Sequence, residues 1–224
     1  AALADIVPSI TNPDKYFNSN VKGTFELLNF LKNYNLKKFI YIASSSCYGI
    51  VTTKKTSENS QIDLRYPYAL TKKLGEDLAM HWFHIYKIPT ISLRLFNVYG
   101  LRSRTSGTYG AVLGIFLKQK LSKKPLTIVG NGKQTRDFIY VSDVVSAIIK
   151  SMESKIVGEI FNIGSGKTYS INYLAKLIGG PKTFIPKRPG EPDSTHANIF
   201  KATKLLNWKP EIKLNQGIAI ILEN

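Results

Sequence analysis

The sequence predicts an α/β protein with a doubly wound parallel sheet, followed by a smaller C-terminal α/β part. Short apolar runs alternate with segments of helical periodicity along the 224 residues, which is typical of repeated strand and helix units. Hydrophobic residues make up 43% of the chain and charged residues 21%, so a sizeable core can form. Serine-rich and glycine-rich turns follow the apolar runs, at the strand ends where such sheets bind ligands.

The sequence predicts a helix and then a strand within residues 19–43. The segment Ser19–Tyr34 places Val21, Leu28 and Leu31 at helical spacing behind a serine cap. The apolar run Phe39–Ala43 that follows predicts a buried strand.

A second helix is predicted to begin at Pro67 and to end near Lys87. Proline is favoured in a first helical turn, and Pro89 cannot continue the helix. The next strand is predicted over Thr90–Leu95. The predicted core face of this second helix consists of Leu74, Leu78, Trp82 and Ile85.

The second half of the chain continues the alternation of strands and helices. The predicted strands are Leu126–Val129, Asp137–Val141, Glu159–Ile163 and Thr183–Ile185. The predicted helices are one that follows a glycine-rich loop at 100–110 and runs to about Leu121, and others that begin at Ser142, at Ser170 and near Asn198.

The composition argues against several classes of protein. The chain has 31 Lys and Arg against 15 Asp and Glu, a net charge of +16, and such a field attracts polyanions. The basic residues are spread along the chain instead of forming one arm, so we expect a solvated surface and no nucleic acid partner. The lone Cys47 favours a reducing cytoplasm. No stretch reaches ~18 consecutive apolar residues, so we expect no membrane segment.

Tyr68 and Lys72 lie four residues apart on the second predicted helix, hence on one face and one turn from each other. A phenol is a poor base at neutral pH because its ordinary pKa is about 10. A neighbouring ammonium favours the phenolate and lowers that pKa. Ser44, Ser45 and Ser46 directly follow the strand that precedes this helix, so hydroxyls lie at the carboxyl end of the sheet.

Together these motifs resemble the extended short-chain dehydrogenase/reductase superfamily, and within it the NAD-dependent sugar-nucleotide epimerases and dehydratases. The motifs that carry the resemblance are Ala1-Ala2-Leu3, Asn20-Val21-Lys22-Gly23-Thr24, the serines, Tyr68 with Lys72, Phe96-Asn97-Val98-Tyr99-Gly100, Gly130-Asn131-Gly132, Arg136-Asp137-Phe138, Phe161-Asn162-Ile163-Gly164-Ser165-Gly166 and Arg188-Pro189-Gly190-Glu191. The resemblance implies a Rossmann-like fold. Residues 1–100, with return segments from about 126–150, would form a partial NAD-binding domain, and residues 101–224 would mainly bind the sugar nucleotide.

The resemblance also implies roles for individual residues. Tyr68 would be the catalytic base, Lys72 would lower its pKa and hold the nicotinamide ribose, and Ser44 would relay the proton. The residues placed along NAD are Ala1, Ala2, Asn20, Ser44, Tyr68, Lys72 and Leu95. The residues placed along the substrate are Ser45, Ser46, Asn97, Arg136, Arg188, Glu191 and Thr195. Guanidinium groups suit a diphosphate and a carboxylate suits a ribose diol. No metal is expected.

The implied reaction is epimerisation at carbon 4 of a nucleotide sugar, through a transient 4-keto sugar. The related dehydratases carry acidic residues after the strand-end serine, whereas this chain has Ser45 and Ser46, which favours an epimerase. A 4,6-dehydratase and a 4-keto reductase remain as alternatives. Thr195 is small where a bulky residue would narrow the sugar pocket, so we expect UDP-N-acetylglucosamine or a uronic acid to fit as well as UDP-glucose.

The front of the chain departs from the family pattern. The Gly-x-x-Gly-x-x-Gly turn, which binds the pyrophosphate of NAD, is not found near Ala1. We therefore expect a fragment of a protein of about 300 residues that enters the fold at its fourth strand. The alternative is that the chain is not an enzyme but a catalytically silent binding module. The two predicted helices, 19–34 and 67–86, correspond to a common dimer interface of the family, so we expect a homodimer.

Overall fold

A computed structural model describes residues 2–51, 55–103, 112–187 and 192–223 of the chain. The helices are α1 Ile6–Thr11, α2 Pro13–Phe17, α3 Gly23–Leu31, α4 Pro67–Tyr86, α5 Val112–Leu121, α6 Val141–Glu153, α7 Ile171–Ile178, α8 Phe200–Leu206 and α9 Leu214–Glu223. The strands are β1 Phe39–Ser44, β2 Thr90–Leu95, β3 Asn97–Tyr99, β4 Leu126–Val129, β5 Thr135–Arg136, β6 Phe138–Tyr140, β7 Glu159–Ile163, β8 Tyr169–Ser170 and β9 Lys182–Ile185. The alternation confirms the predicted α/β class.

The main sheet of the described residues has three parallel strands in the order β1-β2-β7. The central strand β2 is buried from Thr90 to Arg94, as expected for a parallel strand covered on both faces. The register pairs Ser44 with Leu95 and Leu95 with Ile163. The carboxyl ends of the three strands are therefore aligned, and Ser44 and Leu95, both predicted to lie along NAD, are neighbours at this edge.

The helical segment before β1 begins earlier than predicted, so the prediction of a cap at Ser19 is wrong. Helix α2, a π-helical turn at Asn18–Lys22 and α3 follow one another without a break. Ser19 lies inside this run, and its backbone continues the helical hydrogen bonding. The helix ends at Leu31, and Leu28 is its buried contact with the core.

Helix α4 has the predicted bounds. Pro67 lies in its first turn, and Lys87 ends it in the left-handed conformation with a φ of 57°. Trp82 is buried, but Ile85 is 58% exposed, so its predicted place in the core face is wrong. The helix has 20 residues and spans roughly 30 Å, whereas the six residues of β1 span roughly 20 Å. Helix α4 is therefore longer than the strand on which it packs.

The remaining strands form three two-stranded pairs, β3 with β6, β4 with β9 and β5 with β8. The β4–β9 pair and helices α5, α7 and α9 surround a hydrophobic cluster that contains Phe116, Leu126 and Leu174. In α6, the buried carboxylate of Asp143 accepts the backbone N–H groups of Glu211 and Ile212 at 3.1 Å each. This side chain fastens the C-terminal segment to the core.

Helices that are long and apolar enough to cross a membrane are not found among the described residues.

Candidate active site

Tyr68 and Ser44 meet at the carboxyl edge of the main sheet. Tyr68 lies in the first turn of α4, and its phenol is near enough to the Ser44 side chain at the end of β1 for a hydrogen bond between them to influence the pKa of the phenol. The backbone N–H of Tyr68 donates to the buried Ser9 hydroxyl at 3.0 Å, which satisfies a free donor of the helix N-terminus. Burial raises the pKa of Tyr68, and the Ser44 hydrogen bond opposes the rise. A nearby cation is needed to make this phenol a base.

Lys72 supplies a cation one helical turn from Tyr68. Its side chain is buried, its ammonium donates to the carbonyl oxygen of Ile42, and it lies 4.5 Å from the ring centroid of Tyr41. Burial lowers the pKa of Lys72 to about 8, although the carboxylate of Glu76 acts in the opposite direction. The ammonium form is thus costly to hold inside the fold and is present near neutral pH.

This burial predicts a pH dependence of stability that is lost in Lys72→Met. The folded chain releases the proton near pH 8 and the unfolded chain near 10.5, so the unfolded state binds more protons between these values. The contribution of Lys72 to the free energy of unfolding therefore increases with pH in this window. Below it the buried ammonium is destabilising, and Lys72→Met is expected to raise the free energy of unfolding at pH 7 by roughly 1–3 kcal/mol.

Urea unfolding of the wild type and of Lys72→Met from pH 7 to pH 10 measures this effect, since the difference between them isolates Lys72. Lys73→Met is the matched control, because the ammonium of Lys73 pairs with Asp77 at the helix surface. Parallel stability curves for the wild type and Lys72→Met would show that the expectation is wrong.

A buried ionic network joins α4 to β2 one helical turn after Lys72. The Arg94 guanidinium of β2 binds the Glu76 carboxylate of α4 at 2.6 and 2.9 Å, and both side chains are almost fully buried. Glu76 also accepts the Ser92 hydroxyl at 2.9 Å, and Arg94 donates to the Tyr48 hydroxyl at 2.8 Å. The network fixes α4 to β2 and to the turn after β1. Sequence reasoning missed it, although an arginine inside a buried strand was a signal.

Asn20 holds the segment that contains Ala2. Its buried side chain accepts the backbone N–H of Leu3 at 2.7 Å and donates to the Leu3 carbonyl at 3.0 Å and to Thr71 at 3.1 Å. The residue sits in the π-helical turn, which commonly marks functional sites. Asn20 thereby holds the residue next to Ala2 in the chain, whereas Ala1 lies outside the described residues.

The turn after β1 is a 3₁₀ helix at Ser45–Tyr48. The Ser44 hydroxyl caps it by accepting the backbone N–H of Ser46 at 3.2 Å. The Ser46 hydroxyl is buried and has no hydrogen-bond partner among the described residues, so this donor is available to a ligand. Leu95 lies next to Ser44 in the sheet, and Ser45 is half-buried.

A second group of predicted residues meets beyond β2. The Asn97 amide donates to the Thr195 hydroxyl at 3.2 Å and to the main-chain carbonyl of Asp137 at 2.9 Å. Arg136, on β5, is buried and donates to the Thr135 carbonyl at 2.8 Å. The two other predicted residues, Arg188 and Glu191, lie outside the described residues.

A cavity of about 400 Å³ opens beside β5. Its lining residues are Val129, Gly130, Asn131, Lys133, Gln134, Lys187, Pro192 and Asp193. Gln134 directly precedes β5 in the chain, so the cavity lies close in sequence to Arg136. The lining combines amide and ammonium donors with one carboxylate, which suits a polar ligand with hydrogen-bonding edges.

A parallel α/β sheet with Ser, Tyr and Lys at its carboxyl edge defines a protein of the short-chain dehydrogenase/reductase type. Residues 1–164 match the NAD dependent epimerase/dehydratase family. The chain is 36% identical over 227 residues to a UDP-glucuronate 4-epimerase of Thermodesulfobacterium geofontis, and the match covers 97% of this chain and 68% of that relative. The chain belongs to the NAD-dependent epimerase/dehydratase family, which confirms the resemblance.

Solved structures similar to this chain include 4-epimerases. A UDP-glucuronic acid 4-epimerase from Bacillus cereus, in complex with UDP-glucuronic acid and NAD, matches with a TM-score of 0.92 and 34% identity, over 100% of this chain and 72% of that one. A UDP-N-acetylglucosamine 4-epimerase from Methanobrevibacter ruminantium M1, in complex with UDP-N-acetylmuramic acid, matches with a TM-score of 0.94 and 29% identity, over 100% and 74%. These matches confirm the Rossmann-like fold.

Proposed function

We propose that the chain catalyses NAD-dependent epimerisation at carbon 4 of a UDP sugar. The observation that carries the proposal is the arrangement of Ser44 at the end of β1, Tyr68 in the first turn of α4 and the buried Lys72 one turn away, at the carboxyl edge of a parallel sheet. Ser45 and Ser46 follow Ser44 where a dehydratase needs acidic groups. The relatives named above are also 4-epimerases.

In this proposal, Tyr68 exchanges a proton with the hydroxyl at sugar carbon 4. Burial alone keeps its phenol protonated, so the Lys72 ammonium supplies the positive charge that stabilises the phenolate. The Ser44 hydroxyl donates a hydrogen bond to the oxygen on sugar carbon 4 as negative charge develops there. It continues to donate to the same oxygen in the keto sugar. The same groups return the proton when the other epimer forms, so these residues end the cycle unchanged.

The residues at the sheet edge fit NAD. An ammonium has three N–H donors, and the described residues offer the Ile42 carbonyl as an acceptor for Lys72, which leaves donors for ribose hydroxyls. Leu95 lies beside Ser44 at this edge, and Asn20 holds the segment at Leu3 against Thr71 of α4. NAD, when bound, accepts a hydride from sugar carbon 4 and returns it to the opposite face.

We assign the nucleotide end of the substrate to the surface around β5. Arg136 can grip the diphosphate in bidentate fashion, and the cavity beside Gln134 has the size and the polar lining for a nucleoside. Thr195 is small and its hydroxyl is held by Asn97. This supports room for a sugar with an N-acetyl or carboxylate group.

The test is to incubate the purified protein separately with UDP-glucose, UDP-N-acetylglucosamine and UDP-glucuronic acid and to identify the products by NMR. The expected product is the carbon-4 epimer of at least one of them, most efficiently of a substituted sugar. A 4-keto-6-deoxy product would replace the proposal by a dehydratase. UDP binding without turnover of any sugar would favour the silent binding module.

We propose that the protein forms a homodimer through the face shared by α3 and α4. This face exposes several large apolar side chains, which are Phe25, Leu27, Phe30, Tyr34, Ile85 and Tyr86. Adjacent exposed apolar residues of this kind mark interaction surfaces. A two-fold symmetric pairing would bury the same patch on both copies.

Phe30→Asp is expected to weaken the dimer at least about 10-fold, because two charges enter one apolar interface. Phe184→Asp on β9 is the matched control, since Phe30 and Phe184 are each 57% exposed. Light scattering after size exclusion measures the masses over a concentration series. Equal association of both variants would rule out this face.

A cytoplasmic location is part of the proposal. The single cysteine, Cys47, is buried, and burial raises the pKa of its thiol to about 11. A thiol of this kind is poorly reactive. Support for a reducing compartment comes from the cysteine count, because a single cysteine cannot form the internal disulfides typical of oxidising compartments.

A further inference from the structure

The side chain of Asp137 is completely buried between β5 and β6. One carboxylate oxygen accepts the backbone N–H and the hydroxyl of Ser165 at 2.6 and 2.7 Å. The other accepts the backbone N–H groups of Gly166 at 3.1 Å and of Ala197 at 3.0 Å. One side chain thus joins the loop after β7 to the segment before α8.

The main chain of Asp137 reaches a third segment. Its carbonyl oxygen accepts both the backbone N–H of Asn97, at 3.1 Å, and the Asn97 side-chain amide. The same amide donates to Thr195, two residues before Ala197. Asn97 and Thr195, which the proposed function places on the substrate, therefore both depend on Asp137 for their position.

The packing around this carboxylate is tight. A Cβ atom at Gly164 would lie 2.6 Å from the Cβ of Ala197 and 3.1 Å from a carboxylate oxygen of Asp137. Such close approach allows little adjustment if the carboxylate is replaced. Three backbone N–H groups would lose a charged acceptor, and an unsatisfied buried donor is costly.

We propose that Asp137 is a positioning residue for the sugar-nucleotide pocket, which holds the Thr195–Ala197 segment against Asn97. The inference rests on the proposed function, because that function gives Asn97 and Thr195 their contact with substrate. Asp137 itself faces backbone donors and need not touch the ligand. Its replacement should alter ligand affinity through a shift of the segment that carries Thr195.

The chain offers a matched control for this role. Asp143 is also buried and also accepts backbone N–H groups with its carboxylate, but its partners Glu211 and Ile212 belong to the C-terminal segment. Asp137→Asn and Asp143→Asn therefore remove the same charge from similar surroundings. Only the first lies at the segments assigned to the substrate.

The experiment is calorimetric titration of the wild type and both variants with the UDP sugar that the wild type epimerises, at a temperature where thermal unfolding shows each to be folded. Asp137→Asn is expected to bind this UDP sugar about 10- to 100-fold more weakly, since small misplacements of binding groups have effects of this size. Asp143→Asn is expected to bind it as the wild type does. Equal affinities of the wild type and Asp137→Asn would overturn the inference, as would equal losses in both variants.

Ser165→Ala provides a second measurement if Asp137→Asn does not fold. It removes one donor to Asp137 and leaves the backbone donors in place, so about 2- to 10-fold weaker binding of the same UDP sugar is expected. Unchanged affinity in this variant would contradict the inference. A wild-type protein that epimerises none of the three UDP sugars would instead contradict the proposed function, so the two failures are distinguishable.

Discussion

Tyr68→Phe is expected to lower kcat for epimerisation by about 10²- to 10⁴-fold, the range of general acid–base catalysis. The substitution removes the phenol oxygen, which lies near Ser44 and, in the proposed function, exchanges the proton with the sugar hydroxyl. The ring stays, so packing against Tyr16 at a centroid distance of 6.3 Å is retained. Turnover of the UDP sugar that the wild type converts measures the effect, and UDP affinity should remain unchanged.

Tyr16→Phe is the matched control for this experiment. Tyr16 is buried, and its hydroxyl donates to the carbonyl oxygen of Ala4. The control loses a buried hydroxyl from the same cluster of rings but not the proposed proton carrier, so its kcat should fall far less. Comparable kcat values for wild type and Tyr68→Phe would remove Tyr68 from the chemistry, and equal losses in both variants would indicate a structural effect.

Glu76→Gln is expected to lower the free energy of unfolding by about 3–5 kcal/mol, because it leaves a buried guanidinium without its carboxylate. Glu76 and Arg94 are 0% and 3% exposed, so water cannot replace the lost partner. Ser92 would also lose a charged acceptor. Denaturant unfolding monitored by circular dichroism measures the change.

The adjacent Asp77→Asn controls for the loss of one negative charge on α4. Asp77 pairs with Lys73 at the helix surface, where its side chain is 56% exposed, and such pairs contribute at most about 1 kcal/mol. Glu76→Gln should therefore be much less stable than Asp77→Asn. Equal stabilities would mean that the Arg94 site reorganises without cost.

Local signals account for the parts of the fold that the sequence predicts well. Pro67, Pro89 and the apolar periodicity between them act within one helix, so the bounds of α4 follow from nearby residues. The short strands β3, β5 and β8 escape prediction because their pairing partners lie far along the chain. The start predicted at Ser19 fails for another reason, since a serine inside a continuous helix resembles a cap in sequence.

The candidate site also contains residues that local sequence patterns predict and residues whose roles depend on distant contacts. Tyr68 and Lys72 are predictable because four residues on a helix fix their common face. The roles of Asp137 and Arg94 depend on contacts with Ser165, Ala197 and Glu76, none of which a local pattern predicts. An acidic residue directly before the apolar run 138–141 is the signal that points to Asp137, because a buried charge needs partners.

The site has two groups of residues on different parts of the chain. This division affects how the sugar preference of the enzyme can change. Ser44, Tyr68 and Lys72 belong to β1 and α4, which the Glu76–Arg94 pair fastens to the sheet. Asn97 and Thr195 belong to segments joined by Asp137. Under the proposed function, proton transfer and sugar selection are thus separable, and a change of sugar preference can arise around Asn97 and Thr195 while the reacting groups stay in place.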